Sequence, residues 1–244
     1  MMSLRSVGIE TFIPSLGRWG EATTQKFLHP DDAVFVVRES QKEQYESCGH
    51  KVIAYPDSEI SNLSKTRQRI LDDCKSDMCL QLDDDIKVLY SRTQEVLTNM
   101  DPEDWYNEII RAFKLLEDLG LGLFSVCQTP RADIRQYNKP FTFFGAAGAV
   151  MGFYKPNLKA VFDEKIEVKQ DADFVLQELL LNRIVLIVQY WAVDHDTDTN
   201  KGGQQVGKNS EKLYRNVEYI KAKWGEKIYD FDFDKNVTKI KVKR

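Results

Sequence analysis

The sequence predicts a single α/β domain built on a Rossmann-like, mostly parallel central sheet flanked by helices. Three observations carry that prediction. Short β-branched apolar runs, "SVGIETFIP", "AVFVV", "KVIAY" and "MCLQL", recur with polar stretches of helical length between them, which is the alternation of β-α-β units. A chain of 244 residues, 42% hydrophobic and 30% charged, supplies a full core for one unit. No Gly/Ser/Pro linker, internal repeat or low-complexity tract interrupts it.

The first strand is stopped by Pro14. After "AYPD", the stretch "SEISNLSKTRQRILDDC" places Leu63, Ile70, Leu71 and Cys74 on one helical face and Lys65 and Arg69 together on another. "MCLQL" then delivers Asp83, Asp84 and Asp85 at its carboxyl end, where open α/β sheets bind their ligands. "MDPEDWYNEIIRAFKLLEDLG" carries a full set of helix signals: Asp101 as N-cap, Pro102 first, Glu103 and Asp104 in the first turn, Gly120 at the exit. Its stripe of Trp105, Ile109, Phe113 and Leu116 reads as core. "LGLFSV", "GAVMGFY" and "RIVLIVQYW" are further strands, and "DADFVLQELLLN" is a helix. A polar, Gly-containing loop, "AVDHDTDTNKGGQQVGKNS", leads to a helix from about Ser210 to Trp224 and an alternating tail.

The start of the chain lacks the long apolar segment of a signal peptide, and "IVLIV" is too short to span a bilayer. A cytoplasmic protein without membrane partners is expected. Cys48, Cys74, Cys79 and Cys127 form no C-x-x-C pair and read as reduced, buried thiols. The net charge of −4 is unevenly spread, for residues 201–244 hold 12 Lys/Arg against 6 Asp/Glu. Such a region can meet a phosphate or a nucleic acid, or can be a solvated helix face and tail.

Three adjacent carboxylates repel one another, so the cluster makes physical sense in open water or around a cation. Hard oxygen ligands suit Mg²⁺ or Mn²⁺, which shares its coordination between one or two carboxylates and substrate phosphates. Lys65 and Arg69 supply complementary charge for a diphosphate, or else a solvated helix face. Gly202 and Gly203, beside Lys201, offer backbone that can approach phosphates. His195, flanked by aspartates at a strand end, is a candidate ligand or a structural histidine. Asp171 and Asp173 open a helix, as caps or as a general base. The absence of G-x-x-x-x-G-K-[ST] and of G-x-G-x-x-G after the first strand argues against P-loop and dinucleotide enzymes.

The order of "IPSLGR", "LSKTRQRILDDCKSDMCLQLDDDI", "GAAGAVMGF", "QDADFVLQELL" and a late histidine resembles the GT-A glycosyltransferases over most of residues 6–200. That resemblance implies that Thr11, Pro14 and Arg18 hold the nucleotide base, and that Lys65 and Arg69 lie near the diphosphate. It implies a D-x-D motif in which Asp83 faces ribose or metal and Asp85 binds Mn²⁺ or Mg²⁺, with Asp84 beside them and His195 completing the metal site. The segment containing Gly148 would line the sugar and acceptor pocket. Asp171 would be the base of an inverting transfer, supported by Asp173, although Gln170 stands where the family often has Glu.

More narrowly, "FIPSLGR", "SKTRQ", "LDDDI" and "NKGGQQ" resemble the phage TET-associated glycosyltransferases, which implies a UDP-sugar donor and hydroxymethylated pyrimidine in viral DNA as acceptor. Residues 6–90 would then form the nucleotide-sugar half, 91–200 the acceptor side, and 201–244 a basic helix and tail. Transfer to a glycan, protein or small molecule, a nucleotidyltransferase, and a non-catalytic nucleotide- or DNA-binding member stay open at this point, as does a retaining mechanism.

Overall fold

The computed structural model describes residues 2–93, 96–127, 139–195 and 210–242. Its elements follow in order as β1 (Ile9–Pro14), β2 (Val34–Arg38), α1 (Lys42–Ser47), β3 (Lys51–Tyr55), α2 (Leu63–Asp73), β4 (Met78–Leu82), β5 (Ile86–Thr93) and β6 (Val96–Asn99). After these come α3 (Pro102–Leu119), β7 (Leu123–Cys127), β8 (Phe141–Thr142), β9 (Val150–Tyr154), α4 (Gln170–Leu181), β10 (Leu186–His195), α5 (Ser210–Trp224), β11 (Tyr229–Asp232) and β12 (Val237–Ile240). One sheet runs in the order β3-β2-β1-β4-β9-β7-β10-β5-β6, with β8 on β10, while β11 and β12 form a separate hairpin. The strands β1 to β4 are parallel, β9 is antiparallel to both its neighbours, and β7 and β10 are again parallel.

Period-2 alternation sorts the core onto two faces of this sheet. Ile9, Ile13, Leu80, Leu82, Phe124 and Val150 pack against the α3 stripe of Trp105, Ile109, Phe113 and Leu116. Cys79, Met151, Phe153 and Ile187 face the other way, onto Ile70 and Leu71 of α2 and Phe174, Val175 and Leu179 of α4. At the centre, β9 can cross β7 closely only because residue 152 is glycine: a Cβ there would stand 1.9 Å from the Phe124 ring. Helix α3 ends where Gly120 takes φ +67° and lets Leu121 donate back to the Leu116 carbonyl at 2.8 Å.

Two features differ from the sequence reading. The stretch after the aspartates is a β-hairpin, β5 and β6, that extends the sheet by two strands. Cys48 is exposed on the turn after α1, while the other three thiols are buried as expected. Residues 213–242 form a third apolar cluster: Val217 and Ile220 of α5 and Tyr229 and Phe231 of β11 enclose Ala172 and Leu176 of α4. Among the described residues, no helix is long and apolar enough to cross a membrane.

Candidate active site

The chain turns from β4 into β5 through Asp83, Asp84 and Asp85. The backbone there is pinned on both sides. Asp83 N–H donates to the Ala149 carbonyl at 2.8 Å, the Thr24 hydroxyl donates to the Asp83 carbonyl at 2.6 Å, and Thr23 N–H donates to the Asp84 carbonyl at 2.9 Å. Gly148 directly precedes Ala149, so it stands beside the acidic turn.

The turn separates Asp83 from the other two side chains. Asp83 turns to the α2 side and accepts from Arg67 Nη2 at 2.6 Å. Asp84 accepts from the Ser15 hydroxyl and from Arg18 Nη1 at 2.6 Å, and the same nitrogen donates to Asp85 at 2.8 Å. One guanidinium therefore serves two buried carboxylates. Burial pushes Asp84 upward against the pull of Arg18. Burial, with the charges of Asp83 and Asp84, pushes Asp85 up to about 7. The loss of hydration that would lower Arg18 is outweighed by the two aspartates, which raise it.

Asp85 keeps one buried oxygen, Oδ1, without a hydrogen-bond partner, and His195 Nδ1 is in the same condition. His195 ends β10 opposite Ile86, next in sequence to Asp85, and the pairing register shifts between Asp194 and His195. Such a shift re-aims a side chain at a strand end. An orphaned carboxylate oxygen and imidazole nitrogen at one strand end, in a turn that is over-supplied with negative charge, fit a divalent cation. Among the described residues, no three or more His, Cys, Asp or Glu side chains come together in a way that could hold a metal ion. Two protein donors, Asp85 Oδ1 and His195 Nδ1, leave most of a cation's coordination to be supplied by substrate or water.

Arg67 was not singled out by the sequence reading. It is 2% exposed, its Nη1 reaches Gln81 Oε1 at 3.5 Å and Met151 Sδ at 3.4 Å, and its Nε has no partner. The signal was present: residue 67 lies four beyond Leu63 and three and four before Ile70 and Leu71, on the inward face of α2. Lys65 and Arg69 are not brought to the aspartates. Arg69 pairs with Asp73 at 3.1 Å and lies over the Tyr55 ring at 4.9 Å, and Lys65 shares with it an open polar groove lined by Ser58, Glu59, Gln68, Asp72 and Glu164. The expected diphosphate pair thus occupies the outer flank of α2, because helical spacing turns positions 65 and 69 outward when 67 and 70 turn in.

Of the residues expected at the base, Thr11 lies in mid-β1 on the face of Ile9 and Ile13, with a buried hydroxyl that has no partner. Pro14 closes β1, and Arg18 follows on a loop held by Tyr45, whose hydroxyl accepts from Arg18 N–H at 3.1 Å. The Arg18 side chain is committed to the aspartates. Lys201, Gly202 and Gly203 lie outside the described residues.

Asp171 and Asp173 occupy the first turn of α4 but have different surroundings. Asp173, 1% exposed, accepts from Trp224 Nε1 at 2.7 Å, Lys223 Nζ at 2.9 Å and Gln177 Nε2 at 2.8 Å. Asp171 is half-buried. Burial raises its pKa, and the charges of Lys169, Arg67 and Asp83 reach it. The charges of Arg67 and Asp83 thus act both in the acidic turn and at the start of α4.

Comparison with known proteins agrees with this arrangement. Glucosyl-3-phosphoglycerate synthase from Mycobacterium tuberculosis, solved in complex with Mg²⁺ and uridine diphosphate, superposes with a TM-score of 0.52 at 10% identity, over 95% of this chain and 86% of that one. Its complex with Mn²⁺, UDP-glucose and glycerol 3-phosphate gives 0.51 at 11% identity, with the same coverage. The fold is that of the GT-A glycosyltransferases. No curated protein matches the sequence. The family model for TET-associated glycosyltransferases covers residues 9–203, from β1 through the whole of the site just described, and the chain belongs to that family.

Proposed function

We propose that the protein transfers a sugar from a UDP-sugar to the hydroxymethyl group of a modified pyrimidine in phage DNA, using Mn²⁺ or Mg²⁺. The observation that carries this reading is the strand-end turn in which Asp85 Oδ1 and His195 Nδ1 are both unpartnered. The family assignment supports sugar transfer, and the solved neighbours, which hold Mg²⁺ or Mn²⁺ with UDP or UDP-glucose, support the donor and the ion. A nucleotide-sugar donor and a DNA acceptor put the reaction in the cytoplasm of the infected host.

Asp85 and His195 would hold the ion, with Asp83, the third ligand the D-x-D resemblance implies, turned to Arg67 instead; when bound, the ion would supply positive charge against the charge developing on the departing diphosphate. Arg18 binds Asp84 and Asp85 in place, and Arg67 fixes Asp83 from a buried position, adding positive charge behind the acidic turn. Pro14, Thr11 and the Ser15–Arg18 loop bound the base side, Gly148 leaves room for the sugar, and Lys201 with Gly202 and Gly203 would approach the phosphates. Asp171 takes the proton of the acceptor hydroxyl as its oxygen bonds to the anomeric carbon and the bond to UDP breaks. Burial, by raising the pKa of Asp171, makes it a stronger base for that step. The transfer inverts the anomeric centre.

The basic excess of the C-terminal region gives this reading less support than its net charge suggests. Lys212, Arg215, Lys221, Lys223, Lys239 and Lys241 are all paired with acidic side chains of the chain itself. DNA contact rests on the acceptor chemistry rather than on that charge.

Nucleoside mass spectrometry of DNA containing hydroxymethylcytosine or hydroxymethyluracil, after incubation with a panel of nucleotide sugars and Mn²⁺, tests the proposal. A hexose or pentose mass added by the wild type and not by Asp85→Asn is expected. Mn²⁺-dependent release of UDP without modified nucleoside would overturn the acceptor and keep the transferase.

A further inference from the structure

Helix α4 carries Asp171 at its second residue, and its amino-terminal turn is not held by its own capping. The N-cap, Lys169, sits at φ +63°, a left-handed conformation for a residue with a side chain, and makes no side-chain capping bond. Apart from Gln177, which donates to Asp173 from within α4, what holds this turn comes from far along the chain. Lys223 and Trp224, the last two residues of α5, both donate to Asp173. Lys223 also donates to Asp163 at 3.0 Å. The Lys169 ammonium lies over the Phe231 ring of β11 at 5.0 Å. Upstream, Glu167 N–H donates to Asn216 Oδ1 at 2.7 Å, and the Glu167 carboxylate pairs with Lys212 and Arg215.

Every one of these distant partners lies in residues 210–242, beyond the stretch that the family model covers. A module that served only to cover apolar surface would be satisfied by Val217, Ile220, Tyr229 and Phe231 over Ala172 and Leu176. Here it also spends a lysine, a tryptophan N–H and an aromatic face on the two charged residues, Lys169 and Asp173, that stand two positions to either side of Asp171. Burying the Asp173 carboxylate is unfavourable unless each oxygen finds donors. Once they do, the turn has one geometry rather than several.

We infer that the C-terminal α5 and β11–β12 module is a positioning device for Asp171, acting through the Lys223–Asp173–Trp224 clamp. Asp173 is accordingly a positioning residue that anchors the turn, and its carboxylate takes no part in proton transfer. The inference rests on the reading of Asp171 as the base.

The test compares Lys223→Met and Trp224→Phe, which remove the two donors and keep most of the bulk, with Val217→Ala, which loosens the same module without touching the clamp. Lys223→Arg serves as the conservative rescue. Three quantities are read: amide hydrogen exchange over residues 170–174, kcat for sugar transfer, and the affinity for UDP with Mn²⁺. The clamp variants should lose protection at 170–174 and lower kcat by about tenfold or more, since small misplacements of a reacting group are costly, with UDP affinity within about twofold of the wild type. Lys223→Arg should recover most of kcat, and Val217→Ala should lower Tm while leaving kcat near normal. Unchanged protection at 170–174 overturns the proposal whatever the acceptor. Lost protection with intact kcat, or a matching fall of kcat in Val217→Ala, also overturns it and leaves Asp171 as the base. Full activity in Asp171→Asn would instead remove the base reading itself.

Discussion

The acidic turn after β4 and the first turn of α4 are both built around buried aspartates, and they balance charge in opposite ways. At the α4 turn Asp173 has three donors from three residues, and nearby Asp163 is held below the usual carboxylate range, its burial outweighed by Lys223, the Lys165 amide and Tyr219. At the β4 turn three carboxylates share two guanidinium groups, Asp84 and Asp85 are pushed upward by burial, and one oxygen of Asp85 is left without a donor. A scaffold satisfies its charges internally. A binding site leaves a deficit that a ligand fills, and the cost of that deficit persists until it does.

The largest effects should come from removing the groups at the deficit. Asp85→Asn is expected to abolish Mn²⁺-dependent binding of UDP, read as the loss of the metal-induced Tm shift in a thermal titration. Asp171→Asn should keep that shift and lower kcat by about 10²–10⁴-fold, the range of a positioned general base. If both variants lost the Tm shift equally, the separation of donor and acceptor functions between the two turns would be wrong.

The same contrast predicts an unusual pH dependence. Asp85, raised to about 7 in the folded protein, binds a proton natively between pH 4 and 7 that the unfolded chain has released. Stability of the metal-free protein should therefore fall as pH rises through that window. Lowered groups such as Asp163 and Glu167 act oppositely, gaining stability as pH rises, and have finished doing so by the ordinary carboxylate range. Chemical denaturation in EDTA from pH 5.5 to 7.5 should show the decline, and Asp85→Asn should flatten it. A rise with pH in the wild type would mean that Arg18 over-compensates for the burial of Asp85.

Effects on the stability of the scaffold should be smaller. Asp173→Ala strands the Trp224 N–H but leaves Lys223 partly in water, so the stability cost is about 2 kcal/mol rather than that of a fully buried pair. Gly152→Ala forces a methyl into the Phe124 ring and should cost about 1–3 kcal/mol by overpacking. Both are read from denaturation midpoints.

What was legible in the sequence follows the same division. The strands β1, β2, β4, β7 and β10 are buried apolar runs and announce themselves, and the edge strand β3 keeps an apolar run although it is not buried; β6, the other edge strand, with Val96 60% exposed, shows no such run. The like charges of Asp83 to Asp85 are conspicuous because they resist one another locally. The clamp on Asp173 was invisible because its donors stand 50 and 51 residues away, and no local pattern ties them together.

Helix α2 shows how narrow the margin is, and it yields the smallest expected effect. Lys65, Arg67 and Arg69 alternate along the chain, and the apolar positions 63, 70 and 71 decide which of them turns inward. Arg67 holds Asp83 from a buried position, so Arg67→Met should weaken UDP binding by tenfold or more, in line with about 1.5–3 kcal/mol for hydrogen bonds to a charged group. Arg69, paired to Asp73 in the exposed i, i+4 manner, has its charge already answered and screened by solvent. Arg69→Ala should thus leave both UDP affinity and Tm unchanged within error. An Arg69→Ala variant that bound UDP as poorly as Arg67→Met would mean that the donor's phosphates reach over the outer flank of α2, and would move the donor site away from the acidic turn.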